Sequence, residues 1–500
     1  MKYPWLALTC CVGLLGLSTN ACQSRDWDDS EDDAHGGGGG ADGDGGLGGT
    51  GTGGTPNVVG DECVSASECE LEDATHCTAT CEDVDGTKRC VLAALDEDKD
   101  GHGIPECEIA PGDDCDDADP YSYPGAPAVS AIGEVRCVHS VTGTCQIQGA
   151  SIAWTSVGEA LLAYADTSVG TYGAVVAQAL DEEGAPTGAV TTWSAPSTAP
   201  LSTGAITIAR KDNDSAFGLL RGDRDAGGES WWGLEFSEVS FGVNATMTST
   251  ELVAEGPYSA TGHLDLVRLS SSWNMYGRHA YYTASLVTGN CTTTATLLSA
   301  GTGMQGLGRN TRIVGSVRGV IGPNDASYNN SSYDPALVFQ RYPTTGSMHT
   351  QQGSDVVLIG NNHTTDLAPN YTLGKFGDNF IAFFRDNPTA VPLLGRVLNT
   401  TGATVGSEVI YTNSPIVPVD VLDLGDLGGI LIGYVLEGTD RFVVAQRFDA
   451  ELRFVGEPVK LSDALTVNPS IVARGTARKG SVVFAATGDW YRTFAINACE

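Results

Sequence analysis

The sequence is short of positive charge. It carries 27 Lys plus Arg against 62 Asp plus Glu, a formal net charge of −35. A surface so acidic repels nucleic acid and anionic lipid and attracts divalent cations or basic partners. Catalytic signatures are missing too. There is no His-Glu-x-x-His pair and no Gly-x-Ser-x-Gly elbow, and His263, His279, His349 and His363 are scattered without paired spacing. Zinc-dependent hydrolysis and an α/β-hydrolase nucleophile therefore have no basis here. The apolar run at the start, Trp5 to Leu17, is too short to span a bilayer comfortably. Beyond Ser151 cysteine nearly vanishes, with Cys291 and Cys499 remaining.

What is present falls into four stretches. Lys2, the apolar run and Thr19-Asn20-Ala21 before Cys22 form an export signal. Residues 23–60 read DWDDSEDD followed by a glycine-rich tract, too poor in apolar surface to fold, so a flexible, self-repelling tether is expected. A phosphate loop is excluded there because no strand precedes the glycines and no helix follows. Charge is concentrated early: Cys22 to Pro120 holds 28 Asp plus Glu against 4 Lys plus Arg. Between Cys63 and Cys145 lie nine cysteines, namely Cys63, Cys69, Cys77, Cys81, Cys90, Cys107, Cys115, Cys137 and Cys145. In an exported chain these imply a disulfide framework that compensates for a thin core over residues 61–149. Zinc at His76, Cys77 and Cys81 is disfavoured because no second tight pair follows. Eleven cysteines after Cys22 is an odd number; a bond between the distant Cys291 and Cys499 is one expectation.

The export signal resembles that of a bacterial lipoprotein, with Leu17 to Cys22 in the place of the lipobox. The resemblance implies lipidation of Cys22, with Gln23 next to it permitting outer-membrane sorting, so the expected address is the outer membrane, lipid-anchored and surface-exposed or periplasmic. An ordinary secretory signal cut near Ala21 is the alternative.

The densest chemistry lies in Asp96 to Pro127, DEDKDGHGIPECEIAPGDDCDDADPYSYPGAP, with eleven carboxylates and two cysteines. Asp96, Asp98 and Asp100 alternate before Gly101, which lets a curling loop turn their oxygens to one centre, and His102 is placed to offer its backbone carbonyl. Cys107 stands where an EF-hand has its bidentate Glu, and Pro105 forbids the exit helix. A second acidic run, Asp113, Asp114, Asp116, Asp117 and Asp119, is positioned to complete the shell. The first half resembles a thrombospondin type 3 calcium repeat. The whole is similar to the MopE-type Asp/Cys-rich metal-binding motif of bacterial surface proteins, although a single copy is present. The resemblance implies an ion between Asp96, Asp98, Asp100 and some of Asp114, Asp116 and Asp117. Carboxylates suit Ca²⁺ better than copper, which prefers softer donors. A solvated acidic linker is the bland alternative.

Residues 150–500 contain an internal repeat. Apolar strands at Ala160 to Asp166, Phe380 to Asp386 and Gly429 to Leu436 are each followed by a second strand. An Asp or Asn then precedes a Gly by seven residues: Asp181 to Gly188, Asn399 to Gly406 and Asp449 to Gly456. Weaker members lie at Ala216 to Leu220, His279 to Leu286, Ala336 to Tyr342 and Val482 to Ala486, giving seven apolar strands expected to be the inner ones. Short strands and Gly-rich turns recurring about every fifty residues point to an all-β, seven-bladed or alternatively six-bladed β-propeller-like domain. Its last blade is expected to borrow a strand from Cys145 to Trp154. A pair of β-sandwiches is the structural alternative. The repeats resemble divergent propeller repeats of bacterial surface lipoproteins; WD40, kelch and sialidase signatures are absent. The resulting expectation is a non-enzymatic, calcium-binding surface lipoprotein that presents a propeller to an unknown glycan or protein ligand. The alternatives are a propeller enzyme acting on extracellular polysaccharide and a metal-sequestering surface protein.

Overall fold

The computed structural model describes residues 58–499, apart from loops of which the longest are 253–264, 298–310, 324–335 and 361–370. Between 193 and 310 it describes strands and, with few exceptions, no side chains. The export signal, Cys22 and residues 23–57 of the expected tether lie outside the described residues, while residues 58–60, expected to belong to the tether, open the strand Val58–Glu62.

The described residues are all-β, with two short 3-10 turns and no α-helix. A three-stranded sheet comes first, in the spatial order Val58–Glu62, Thr87–Ala94, Cys77–Val84. Seven four-stranded antiparallel sheets follow. The first six are simple meanders over 150–194, 201–252, 265–297, 311–359, 371–411 and 417–460. The seventh combines three strands from 470–496 with Val129–Cys137. The strand that completes it therefore comes from before Cys145. Ala150–Trp154, inside the segment expected to do this, instead opens the first sheet.

Burial explains the apolar runs. Ala160–Asp166 is buried at every position, as are six of the seven residues of Asn379–Arg385 and the first seven of Gly429–Glu437. A strand covered on both faces has no reason to alternate, so it reads as a continuous apolar stretch. The last strands of the same sheets, Thr404–Tyr411 and Phe454–Lys460, contain no buried residue. The core accordingly lies between neighbouring sheets. Phe339 meets Phe380 and Phe384 between the fourth and fifth; Phe383 meets Leu431 and Phe448 between the fifth and sixth. Ile430 meets Phe484 and Phe494 between the sixth and seventh. Trp154 and Leu162 meet Val483 and Tyr491 between the seventh and the first, where Trp154 Nε1 also donates to Ser481 Oγ at 3.1 Å.

The seven apolar strands fall one to a sheet, but they are not the innermost. Five are second strands and two, at 280–287 and 337–343, are third. The strands that pack across from one sheet to the next are the first ones: Thr311–Val314 against Tyr371–Phe376, then Val417–Asp423, Ser470–Gly475, Ala150–Trp154, Leu201–Arg210 and Asp265–Leu269 in turn. These first strands are less apolar, so a search by hydropathy finds their neighbours.

The Asp/Asn-to-Gly repeat has a local cause. Asp181 Oδ1 accepts the amides of Glu183 and Ala185 at 3.0 and 2.7 Å; Asn399 Oδ1 accepts those of Thr401 and Ala403 at 2.9 Å each; Asp449 Oδ1 accepts those of Glu451 and Arg453 at 3.0 and 2.7 Å. Each side chain thus builds the turn into the last strand of its sheet. Gly188, Gly406 and Gly456, with φ of 67°, 69° and 65°, fall where that strand's register shifts, as left-handed bulge residues.

Candidate metal centre

Among the described residues five disulfides are formed: Cys63–Cys81, Cys69–Cys90, Cys77–Cys107, Cys115–Cys499 and Cys137–Cys145. The framework expected from cysteine density is present, and Cys77 and Cys81 are oxidised rather than free to ligate zinc. Cys499 pairs with Cys115, not with Cys291. The eleventh cysteine is therefore Cys291, on a strand whose side chains lie outside the description.

The two acidic runs meet because the backbones between them approach without side chains. Gly112 N donates to Ile104 O and Asp114 N to Gly103 O, both at 3.0 Å. A Cβ on Gly112 would lie 1.7 Å from the Gly103 carbonyl oxygen, and one on Gly103 would lie 2.5 Å from the Ala94 Cβ. Only glycine permits this crossing. Glu97 N then reaches Asp117 Oδ1 at 2.9 Å from the facing run.

Four carboxylates share one arrangement. Asp96 Oδ2 accepts Gly101 N at 3.1 Å, Asp98 Oδ1 accepts Asp100 N at 3.1 Å, Asp100 Oδ1 accepts His102 N at 2.8 Å, and Asp114 Oδ1 accepts Asp116 N at 2.9 Å. The other oxygen of each, Asp96 Oδ1, Asp98 Oδ2, Asp100 Oδ2 and Asp114 Oδ2, is buried and has no hydrogen-bond partner. One oxygen shapes the loop and the other is left for something else. Positive φ at Lys99 (64°) and Gly101 (95°) provides the curl.

Two oxygen sets result. Asp96, Asp98 and Asp117 form one, and Asp98, Asp100 and Asp114 the other; within each set the ligand atoms lie within 4.8 Å of one another. Oxygens on opposite sides of a Ca²⁺-sized ion stand about 4.6–5.2 Å apart, so each set fits one coordination shell. The donors are hard oxygens, the wrong chemistry for a soft metal. The arrangement can hold a metal ion, and Asp98 is common to both sets. Asp114 is 1% exposed, and an isolated charge so deeply buried is costly unless paired or bound to a metal.

Electrostatics agree with the geometry. Burial, opposed by the Asp100 amide and reinforced by the charges of Asp100, Asp114 and Asp96, pushes the Asp98 carboxyl up to about 6. Burial is also the main cause that raises Asp114, Asp117 and Asp119 above the ordinary carboxylate range.

Around the two sets lie Asp116, His102 and Asp119. Asp116 is drawn off by Arg478, which pairs with its Oδ2. The His102 ring stacks on Tyr123 at 4.2 Å between centroids, with Nδ1 2.7 Å from Asp113 Oδ1. The ring is thus engaged outside both oxygen sets. Asp119, 3% exposed, accepts Ser122 Oγ at 3.2 Å through Oδ2, while its Oδ1 is buried without a hydrogen-bond partner. Its place in the acidic run was visible, but its depth was not, because burial depends on how Ser122 and Lys479 come to lie beside it.

No protein-family model matches this sequence, and no curated protein matches it. Solved structures that match include a domain described as a β-propeller. The β-propeller domain of the Trilobed protease from Pyrococcus furiosus is 7% identical, with 71% of this chain and 96% of that chain covered at a TM-score of 0.39. A polysaccharide lyase of family PL25, an ulvan lyase, is 9% identical, with 74% and 94% covered at 0.37. The WD40 domain of SCAP from fission yeast is 7% identical, with 74% and 98% covered at 0.35.

Proposed function

We propose that the protein is a calcium-binding surface lipoprotein, anchored in the outer membrane through Cys22, whose seven sheets form a seven-bladed propeller that presents a binding face. The observation that carries the calcium assignment is the set of buried, unpartnered oxygens on Asp96, Asp98, Asp100 and Asp114. All are hard donors already held in place by their sister oxygens, so little ordering remains to be done on binding. The propeller assignment is supported by first strands that pack sheet to sheet, and by a core between the seventh and first sheets that brings the two ends of the repeat together. The role is non-enzymatic: the protein displays a surface to a glycan or protein ligand outside the cell.

Calorimetric titration of the oxidised chain with CaCl₂ tests the metal assignment. Saturable binding is expected, and Asp98→Asn, which removes a ligand common to both sets, weakens it by about tenfold or more, the equivalent of about 1.4 kcal/mol. Binding indifferent to Asp98 would return the cluster to a solvated acidic linker. Radiolabelled palmitate incorporated by the expressing cells, and lost in Cys22→Ala, tests the anchor; equal labelling of the variant would refute it.

A further inference from the structure

The acidic cluster is fastened at both sides, and to different parts of the molecule. Its first run is tied to the small disulfide-bonded sheet through Cys77–Cys107 and through Leu95 N to His76 O at 2.8 Å. Its second run is tied to the end of the chain. Cys115 bonds Cys499, and Arg478 pairs with Asp116. The buried Asn497 side chain donates to Tyr123 O and Ala126 O at 3.1 Å each, and its amide donates to Ala128 O at 3.2 Å. Immediately beyond, Val129–Cys137 pairs with the last strand of the chain, Asp489–Ile496, from Val129 opposite Ile496 to Cys137 opposite Trp490. The two ends of the sheet region are joined at this seam.

Each oxygen set takes members from both runs: Asp96 and Asp98 with Asp117, and Asp98 and Asp100 with Asp114. A cation in either set therefore ties the run held by the small sheet to the run held by the chain's end. Without one, carboxylate oxygens from the two runs stand within 4.8 Å of one another and repel. We infer that the bound divalent cation is a clasp: it locks the small disulfide-bonded sheet onto the seam where Val129–Cys137 completes the seventh sheet, so that seam opening and cation release are one event. This rests on the calcium assignment made above, and extends it from a local staple to control over the joining of the two ends of the sheet region.

Hydrogen exchange on the intact, oxidised chain tests the clasp. If opening the seam destroys the cation site, amides that exchange through that opening slow by a factor of 1 + [Ca²⁺]/Kd, about a hundredfold at calcium a hundred times Kd. That slowing is expected in 489–496 and 129–137 as well as in 96–119, and it is lost in Asp98→Asn. Asp117→Asn gives a second test should Asp98→Asn fail to fold. If calorimetry shows saturable calcium binding while 489–496 and 129–137 exchange at unchanged rates, the clasp is refuted and the calcium assignment stands. If no saturable binding occurs, both fall together.

Discussion

Removing the Cys115–Cys499 bond separates the effect of joining the two sides of the sheet region from that of an ordinary crosslink. The bond spans a sequence separation of 384, enclosing nearly the whole sheet region, whereas Cys137–Cys145 spans 8. If crosslinks act chiefly by restricting the unfolded chain, the loop-closure relation gives about 6 kcal/mol for the long loop and about 2.5 kcal/mol for the short one. The double variant Cys115→Ser/Cys499→Ser should therefore lose about 3.5 kcal/mol more than Cys137→Ser/Cys145→Ser. The natural readout is urea unfolding at fixed calcium, followed by tryptophan fluorescence. Trp490 lies opposite Cys137 in the seventh sheet, and Trp154 of the first sheet bonds Ser481 of the seventh. Trp490 reports the seam directly, and Trp154 reports the neighbouring junction of the seventh and first sheets. Equal losses, or a larger loss on removing the short crosslink, would refute the argument, because the long bond would then be closing ends already held together in the unfolded chain.

The other expectations probe the cluster and the core separately. In calcium-depleted buffer the folded Asp98 carboxyl keeps its proton up to about 6, against about 3.9 in an unfolded chain. The folded state binds more protons through that window, so stability falls as pH rises from about 4 to about 6 and then levels off; thermal unfolding should show this fall in the wild type and a smaller one in Asp98→Asn. Gly112→Ala would set a Cβ against the Gly103 carbonyl and force the two acidic runs apart. It should cost about 2 kcal/mol or more in denaturant unfolding and weaken calcium binding in calorimetry. Phe383→Ala, at a fully buried site between the fifth and sixth sheets, should cost about 3–5 kcal/mol and leave calcium affinity unchanged. A parallel loss of calcium affinity would show that the cluster is coupled to that core.

Features with a local cause were legible in advance. The Asp/Asn-to-Gly repeat could be seen because the side chain bonds amides two and four residues on and the glycine occupies a left-handed bulge, all within one turn. Where the third copy has Leu452 in place of Gly184 and Gly402, the backbone still adopts φ of 64°, and the side chain is buried among Phe383 and Phe448. The alternating Asp96, Asp98 and Asp100 before Gly101 announced a curled acidic loop for the same reason, since each carboxylate accepts an amide a few residues along the chain. Apolar stretches marked one strand in each of seven sheets, and where the side chains are described, as in Ala160–Asp166 and Gly429–Glu437, burial on both faces writes itself into composition.

What the sequence by itself determined, then, was the turns, the acidic loop, the disulfide-rich character and the number of apolar strands. The tertiary structure alone decided the partners. Cys115 could be assigned to Cys499, and Val129–Cys137 to the last strand, only once the sheets had brought residues hundreds of positions apart into contact. The same holds for Asp116, identical in type and neighbourhood to Asp114 and Asp117, which is taken out of the oxygen sets by Arg478 from the seventh sheet. Hydrogen bonds within a turn depend on residues a few places away, and a sequence displays those. Which distant surfaces meet depends on how whole sheets pack, and no local pattern records that.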